Sequence, residues 1–385
     1  MKILLNGVSV KKQGGGVFQI AINFIMKTIE RDSHEIEWFY IVSEDLHEVI
    51  HHKLANQKNY YVFPTQPDFT GSYFKVKKEL KLLEKSIKPN VVYSLASPSY
   101  FSFDAPEVMR FANAWVTNPN KHANSKLSFF KRLKNELHHL IQKEMMKRCE
   151  YFITQSNTVK EGILSIVDTK PENVKVVSNV LPAFFRDINR SLVLNQENNK
   201  GFIYIACVAV PSKHKNLDIL PKVIKILREK HSITKAVFLT TIPEDSKSLM
   251  QIKNELSSLG LSDHIINYGY CTQAELVNLY SKCELCFFPS LLETFSATLL
   301  EAMFFNLAIV ATDLGFNKEV VGDSALYFRP MDAEDAADNI AFLIKNPDKR
   351  DELKSKMSSY LDNYSNFDRY MDSTINFLKD VAEKK

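Results

Sequence analysis

Residues 284–313 read ELCFFPSLLETFSATLLEAMFFNLAIVATD, and the reading of this stretch decides the fold. It opens on a short apolar run (284–290) and breaks into a loop holding Glu293. A helix-forming run from about Ser296 to Phe305 follows, and a second apolar run (307–313) closes the stretch. Two strand-length runs joined through a helix form a βαβ crossover, whose strands are parallel. The helix is apolar nearly all round, through Ala297, Leu299, Leu300, Ala302, Met303, Phe304 and Phe305, so it is expected to be buried. Glu301 sits inside it, and a buried carboxylate is costly unless something hydrogen-bonds or pairs with it.

The same alternation runs along the chain. Strand-like runs fall at 2–8, 37–43, 60–64, 90–96, 108–114, 150–156 and 174–180, with helical patterns such as 17–31 and 158–167 between them. Around 186–200 (RDINRSLVLNQENNK) the chain turns polar and Asn-rich, and the alternation then restarts at 201–210, 236–241, 264–270, 284–290, 307–313 and 325–330. With 385 residues the chain is too long for one ordinary core. The expectation is α/β: two Rossmann-like, doubly wound domains at 1–185 and 201–365, with 186–200 as linker. A last helix at 366–385 is expected to pack back on the first domain. Such a pair places a ligand cleft at the carboxyl ends of the strands, between the domains.

Hydrophobic residues make up 45% and charged residues 24%, as in soluble globular proteins. No run of about 18 apolar residues is present, and the first residues show no cleavable apolar leader, so the cytoplasm is the expected location. Five cysteines in so long a chain do not make a disulfide framework. Cys283 and Cys286 form a C-x-x-C, but no second pair completes a metal site, and the motif reads as a buried strand that carries thiols.

Charge is uneven. Residues 1–190 hold 27 Lys+Arg against 19 Asp+Glu, whereas residues 191–385 hold 22 against 26. Within the basic half, 75–88 carries six Lys and two Glu, and 121–148 carries eight Lys+Arg and two Glu interleaved with Leu and Phe. Basic amphipathic helices of this kind suit peripheral contact with an anionic membrane, on the inner face of the plasma membrane for a cytoplasmic protein. They equally suit solvated basic faces. No recognised nucleic-acid motif accompanies the charge, so nucleic acid is not an expected partner.

Three constellations could carry chemistry. Gly14, Gly15 and Gly16 follow the first strand and precede a helix, where glycines allow close approach of an anionic ligand to free backbone N–H groups. The spacing is not the G-x-G-x-x-G of a dinucleotide site, and a flexible β–α connection is the alternative. Lys213, His214 and Lys215 lie between the first strand and first helix of the second domain, as a diphosphate site would need, and a solvated basic turn is the equal alternative. Glu293 and Glu301 form the third. A ribose diol donating to Glu301 would satisfy that acid, and so would a core Lys or Arg, or access to solvent.

Residues 289–303 (PSLLETFSATLLEAM) and 307–344 (LAIVATDLGF…AFLI) resemble the donor-binding half of retaining glycosyltransferase family 4, which has the GT-B architecture. The family's E-x7-E motif falls on Glu293 and Glu301. HKNLDIL (214–220), INYGYCTQAELVNLYSKCELCFFPS (266–290) and the stretch around 153–180 fit in order, so the resemblance spans nearly the whole chain. It implies a nucleotide-sugar co-substrate, no metal or other cofactor, and a saccharide or lipid-linked saccharide acceptor held by the first domain. Glu301 would bind the ribose. Glu293 and Lys215 would be catalytic, and Gly15, Gly16, Lys213, Tyr270, Phe295, Ser296 and Ala297 would contact the donor. Asn113 and His122 would lie on the acceptor side, Asn113 near the place where many relatives carry a histidine.

The chain departs from the family pattern in having no arginine before Lys215, Ser296 for a glycine, and Phe304, Phe305 and Asn306 for small residues. The implied function is retaining sugar transfer in lipopolysaccharide, O-antigen or capsule synthesis. A catalytically silent sugar-nucleotide-binding protein and a nicotinamide-dependent oxidoreductase remain as alternatives.

Overall fold

A computed structural model describes residues 1–12, 16–31, 35–55, 57–67, 71–181, 183–186, 188, 201–364 and 366–384. Its strands coincide with the apolar runs read from the sequence, and every strand pair is parallel. The chain divides into two units. Unit 1 comprises Met1–Asn118, Leu133–Ser178 and Asp368–Lys385, and unit 2 comprises Pro119–Arg132 and Asn179–Phe367. Most of the expected linker, residues 189–200, lies outside the described residues.

Unit 1 is built on β1 (Lys2–Gly7), β2 (Glu37–Ser43), β3 (Tyr60–Phe63), β4 (Val91–Ser94), β5 (Glu107–Arg110), β6 (Tyr151–Thr154) and β7 (Val174–Val176), in the order β3-β2-β1-β4-β5-β6-β7. A parallel sheet covered on both faces needs continuous apolar strands, and Ile3, Leu4 and Leu5 of β1 are all buried. Helix Gly16–Glu30 turns Phe18, Ala21, Phe24 and Ile25 inward at helical spacing. The closing helix Phe367–Glu383 buries Met371, Leu378 and Val381. Its residues Asp368 and Asp372 accept hydrogen bonds from the Arg31 guanidinium at 2.8 and 2.6 Å.

Unit 2 is built on β8 (Ile203–Cys207), β9 (Ala236–Thr240), β10 (Ile265–Asn267), β11 (Leu285–Phe288), β12 (Ala308–Thr312) and β13 (Ala325–Phe328), in the order β10-β9-β8-β11-β12-β13. The period-2 alternation of β11 feeds two cores: Leu285 and Phe287 enter one, Cys286 and Phe288 the other. Both thiols of the C-x-x-C are therefore core side chains, as the sequence suggests. Residues 119–132, counted with the first domain from sequence, group instead with unit 2. The cause is a set of contacts without local sequence signal: Lys126 pairs with Asp218 at 2.8 Å, and the Asn120 amide donates to the Leu291 carbonyl at 2.8 Å.

Gly322 ends helix Gly315–Val321 with φ 51° and ψ −127°, a conformation open essentially to glycine alone. A Cβ there would also run into the Tyr360 ring. Gly322→Ala should therefore cost about 1–3 kcal/mol and lower the thermal midpoint by several degrees. Scanning calorimetry that finds an unchanged midpoint would refute the assigned turn.

Candidate active site

The strand order of unit 2 reverses between β8 and β11, with β9 and β10 on one side and β12 and β13 on the other. Loops leaving the carboxyl ends of two such neighbours diverge and leave a crevice, the usual ligand position in open α/β sheets. The sequence places Lys213, His214 and Lys215 in the loop after β8, and Glu293 in the loop after β11.

These loops meet through one contact. Lys215 Nζ lies 2.5 Å from Glu293 Oε1, and the Ser290 hydroxyl donates to the same oxygen at 2.6 Å. The Lys215 and Glu293 side chains are 20% and 13% exposed, so the pair is largely screened from water. The surrounding backbone is tied down. The Leu291 N–H donates to the His214 carbonyl at 2.7 Å, and the Thr312 hydroxyl to the Ser290 carbonyl at 2.5 Å.

Asn216 takes a left-handed conformation (φ 54°), which turns the chain from the lysine loop toward helix Leu220–Glu229. Its carboxamide is buried beside Lys215, with neither nitrogen nor oxygen hydrogen-bonded to a described residue. Burial holds His214 below the ordinary histidine range, Glu293 opposes that shift and Lys215 adds to it, so the ring near the pair favours its neutral form.

Helix Ala297–Phe304 begins at Ser296, whose extended backbone (φ −114°, ψ 115°) makes it the N-cap, yet its side chain caps nothing. The first N–H groups of the helix thus receive no acceptor from the N-cap side chain, in the loop that carries Glu293. The Phe295 ring points into the core against Tyr364, Ser296 is buried and Ala297 is exposed.

Glu301 is buried five residues into this helix, and among the described residues no lysine or arginine pairs with it. Its partner is the phenol of Tyr280, which donates to Oε2 at 2.6 Å. Burial pushes the Glu301 carboxyl above its usual range, and the Tyr280 hydrogen bond draws it partly back. Tyr280, the residue that sequence reading missed, stands in LVNLYSKC (276–283), where nothing separates it from an ordinary core aromatic.

The other expected residues are scattered. Lys213 and Tyr270 are exposed, with no side-chain hydrogen bond or ion pair to a described residue. Gly16 opens helix Gly16–Glu30, while Gly14 and Gly15 lie outside the described residues. Asn113 caps helix Ala114–Thr117 by accepting from the Trp115 N–H and donates to Gln142, so its amide is committed structurally. His122 lies in the short helix Lys121–Ser125, its pKa lowered by burial and then by Lys121. Among the described residues no group of three or more His, Cys, Asp or Glu side chains is placed to hold a metal.

A double-mutant cycle of Lys215→Ala and Glu293→Ala on unfolding free energy should give a coupling of about 1–3 kcal/mol, above the ~0–1 kcal/mol of exposed pairs. A coupling near zero would mean that the pair does not form in solution.

Comparison with known proteins bears on the fold. Residues 193–359 match the family model described as "Glycosyl transferases group 1". The chain is 26% identical over 243 residues to the O-antigen chain mannosyltransferase RfbU of Salmonella typhimurium, covering 63% of this chain and 62% of that one. It therefore spans about three fifths of that relative's length. Among solved structures, a glycosyltransferase from Rickettsia africae superposes with a TM-score of 0.71 at 15% identity, covering 100% of this chain and 99% of the other. Anabaena Alr3699/HepE, solved with UDP and glucose, gives 0.66 at 14% identity with the same coverage. At such identities the likeness is one of fold. The chain thus has the GT-B fold of glycosyltransferases, and its residues 193–359 are similar to the group 1 glycosyltransferase model.

Proposed function

We propose that the protein is a retaining glycosyltransferase that moves a sugar from a nucleotide-sugar donor to a saccharide or lipid-linked saccharide in lipopolysaccharide, O-antigen or capsule synthesis. The observation that carries this reading is the Lys215–Glu293 contact at the strand-order reversal of unit 2. Glu301 follows on the next helix with one carboxylate oxygen unbonded to any described residue.

In this reading the donor's ribose hydroxyls donate to Glu301, and its diphosphate is met by Lys215 and the N–H groups that open helix Ala297–Phe304. Lys215 leaves Glu293 for the diphosphate, and Glu293 then faces the sugar. The bond from the anomeric carbon to the phosphate oxygen breaks, and the acceptor oxygen bonds to the same face of that carbon. The acceptor's proton passes to the departing phosphate, so the products are the glycoside and the nucleoside diphosphate. Charge growing on the leaving group is where fixed cations and N–H dipoles contribute most. They supply it without a metal ion.

A thermal-shift and calorimetric panel of UDP, GDP, ADP, CMP and NAD tests this. At a hundred times its Kd a binding nucleoside diphosphate should stabilise the protein by about 2.7 kcal/mol, with EDTA present, and Glu301→Ala should abolish the effect. UDP-glucose and a mannosyl donor are the first to try for turnover, following the neighbour solved with UDP and the mannosyltransferase relative. Binding of NAD alone points to the oxidoreductase reading, and nucleotide binding without turnover of any donor points to the silent one.

The acceptor side of the proposal includes an anionic membrane surface. Helix Phe129–Met146 buries only Gln142 and Met146, while Phe129, Phe130, Leu133, Leu137, Leu140 and Ile141 are 49–81% exposed. At helical spacing these six share an arc of about 120°, on the side away from the buried residues. An apolar stripe turned outward and flanked by Lys131, Arg132, Lys134 and Lys143 suits the headgroup boundary of anionic lipid. No described helix is long and apolar enough to cross a membrane. Phosphatidylglycerol vesicles should sediment the protein, with binding lost in the Phe129→Ser, Phe130→Ser, Leu137→Ser triple variant and weakened by salt. No binding at low salt, or a dimer that hides the stripe, would refute this part.

A further inference from the structure

We infer that Tyr280 is a positioning residue for Glu301: its buried hydroxyl fixes one carboxylate oxygen and leaves the other presented to the ribose of a nucleoside diphosphate. This rests on the reading of Glu301 as the ribose ligand. A carboxylate inside an apolar helix needs a donor, and a flexible side chain needs an anchor if one of its oxygens is to meet a ligand reproducibly. Tyr280 does both. Its Oη donates to Glu301 Oε2 at 2.6 Å. Oε1 makes no hydrogen bond with a described residue and is not sealed from solvent.

The phenol is itself fixed from two directions. Tyr280 stands in the last turn of helix Gln273–Ser281, whose start is pinned by a reciprocal capping box between Thr272 and Glu275. Its ring stacks on Phe305 with centroids 5.2 Å apart and planes 18° from parallel. Phe305 in turn packs edge-on against Phe304 at 5.2 Å and Phe185 at 5.8 Å. The two phenylalanines that depart from the family pattern are thus the support of the residue that holds Glu301. The groups facing Glu301 are the Tyr280 hydroxyl, from its helix, and the Cys286 thiol, from β11. Burial pushes both of these groups well above their ordinary ranges, so neither competes with Glu301 as the group whose charge a lower pH removes.

Tyr280→Phe removes one oxygen and keeps the stack. Calorimetric titration with UDP and GDP across pH, on the full chain, tests the inference, with circular dichroism and the thermal midpoint checking the fold. Affinity of the variant should fall about tenfold, the low end for a hydrogen bond to a charged group. Losing the hydrogen bond raises the Glu301 pKa, and binding weakens as pH drops through that pKa. The acid-side decline should therefore begin at higher pH in the variant than in the parent. Should Tyr280→Phe fail to fold, Phe305→Leu carries the test and should weaken binding in the same direction. Affinity and pH limit both unchanged, with Glu301→Ala still abolishing binding, overturns the positioning role and leaves the ribose reading standing. Intact binding in Glu301→Ala overturns both.

Discussion

A lysine and a carboxylate 78 residues apart in sequence lie 2.5 Å apart at the centre of unit 2, and the parallel sheet is what brings them there. Parallel neighbours cannot be joined by hairpins, so every connection crosses over a face of the sheet and every loop at the carboxyl ends starts from a strand terminus fixed by the ladder. The order β10-β9-β8-β11-β12-β13 makes β8 and β11 neighbours although two strands separate them in the chain. Their loops are the pair that must lie side by side while their helices part to opposite sides. A Lys–Glu contact there is largely screened from water, and it localises the lysine side chain beside the crevice. The Ser290 hydroxyl donates to the same carboxylate oxygen, so the lysine is not that oxygen's sole partner.

The two acids of the E-x7-E spacing meet different physics. Glu293, in a loop, is balanced by a cation. Glu301, in a helix, is balanced by a neutral phenol. A lysine beside Glu301 would satisfy burial more fully, yet it would compete with any hydroxyl donor and fix the carboxylate as a structural ion pair. A phenol contributes one hydrogen bond and no charge, so acceptor capacity remains for a ligand that brings its own donors. The cost is a carboxyl held above its usual range, which a ribose diol would relieve.

The strand pattern was legible, because a strand buried on both faces leaves a run of apolar residues too dense to mistake, whereas crossover connections make the strands parallel and leave their order in each sheet open. Glu293, Glu301 and Lys215 were legible as chemistry out of place, charges in apolar or glycine-poor turns. Tyr280 was not, because its role depends on the angle at which helix Gln273–Ser281 meets helix Ala297–Phe304, and sequence spacing carries no such angle. The grouping of residues 119–132 with unit 2 was hidden for the same reason: Asn120 and Lys126 are ordinary polar residues until the chain places Leu291 and Asp218 opposite them. Asn113 has a structural task as well. Asparagine at a helix start is a capping residue first, and the structure uses it so.

The departures Phe304 and Phe305 now have a packing reason. Small residues after the helix would leave a gap beside Tyr280, and a gap lets a tyrosine choose among rotamers. Phe305 closes that gap face to face, and Phe185, from the segment before the linker, closes it from the edge. Cys283 and Cys286 fill the remaining small spaces in the same core, which makes thiols useful here for their size rather than their reactivity. The aromatic cluster and the C-x-x-C, separate oddities in the sequence, are thus parts of one packing solution around a single buried carboxylate.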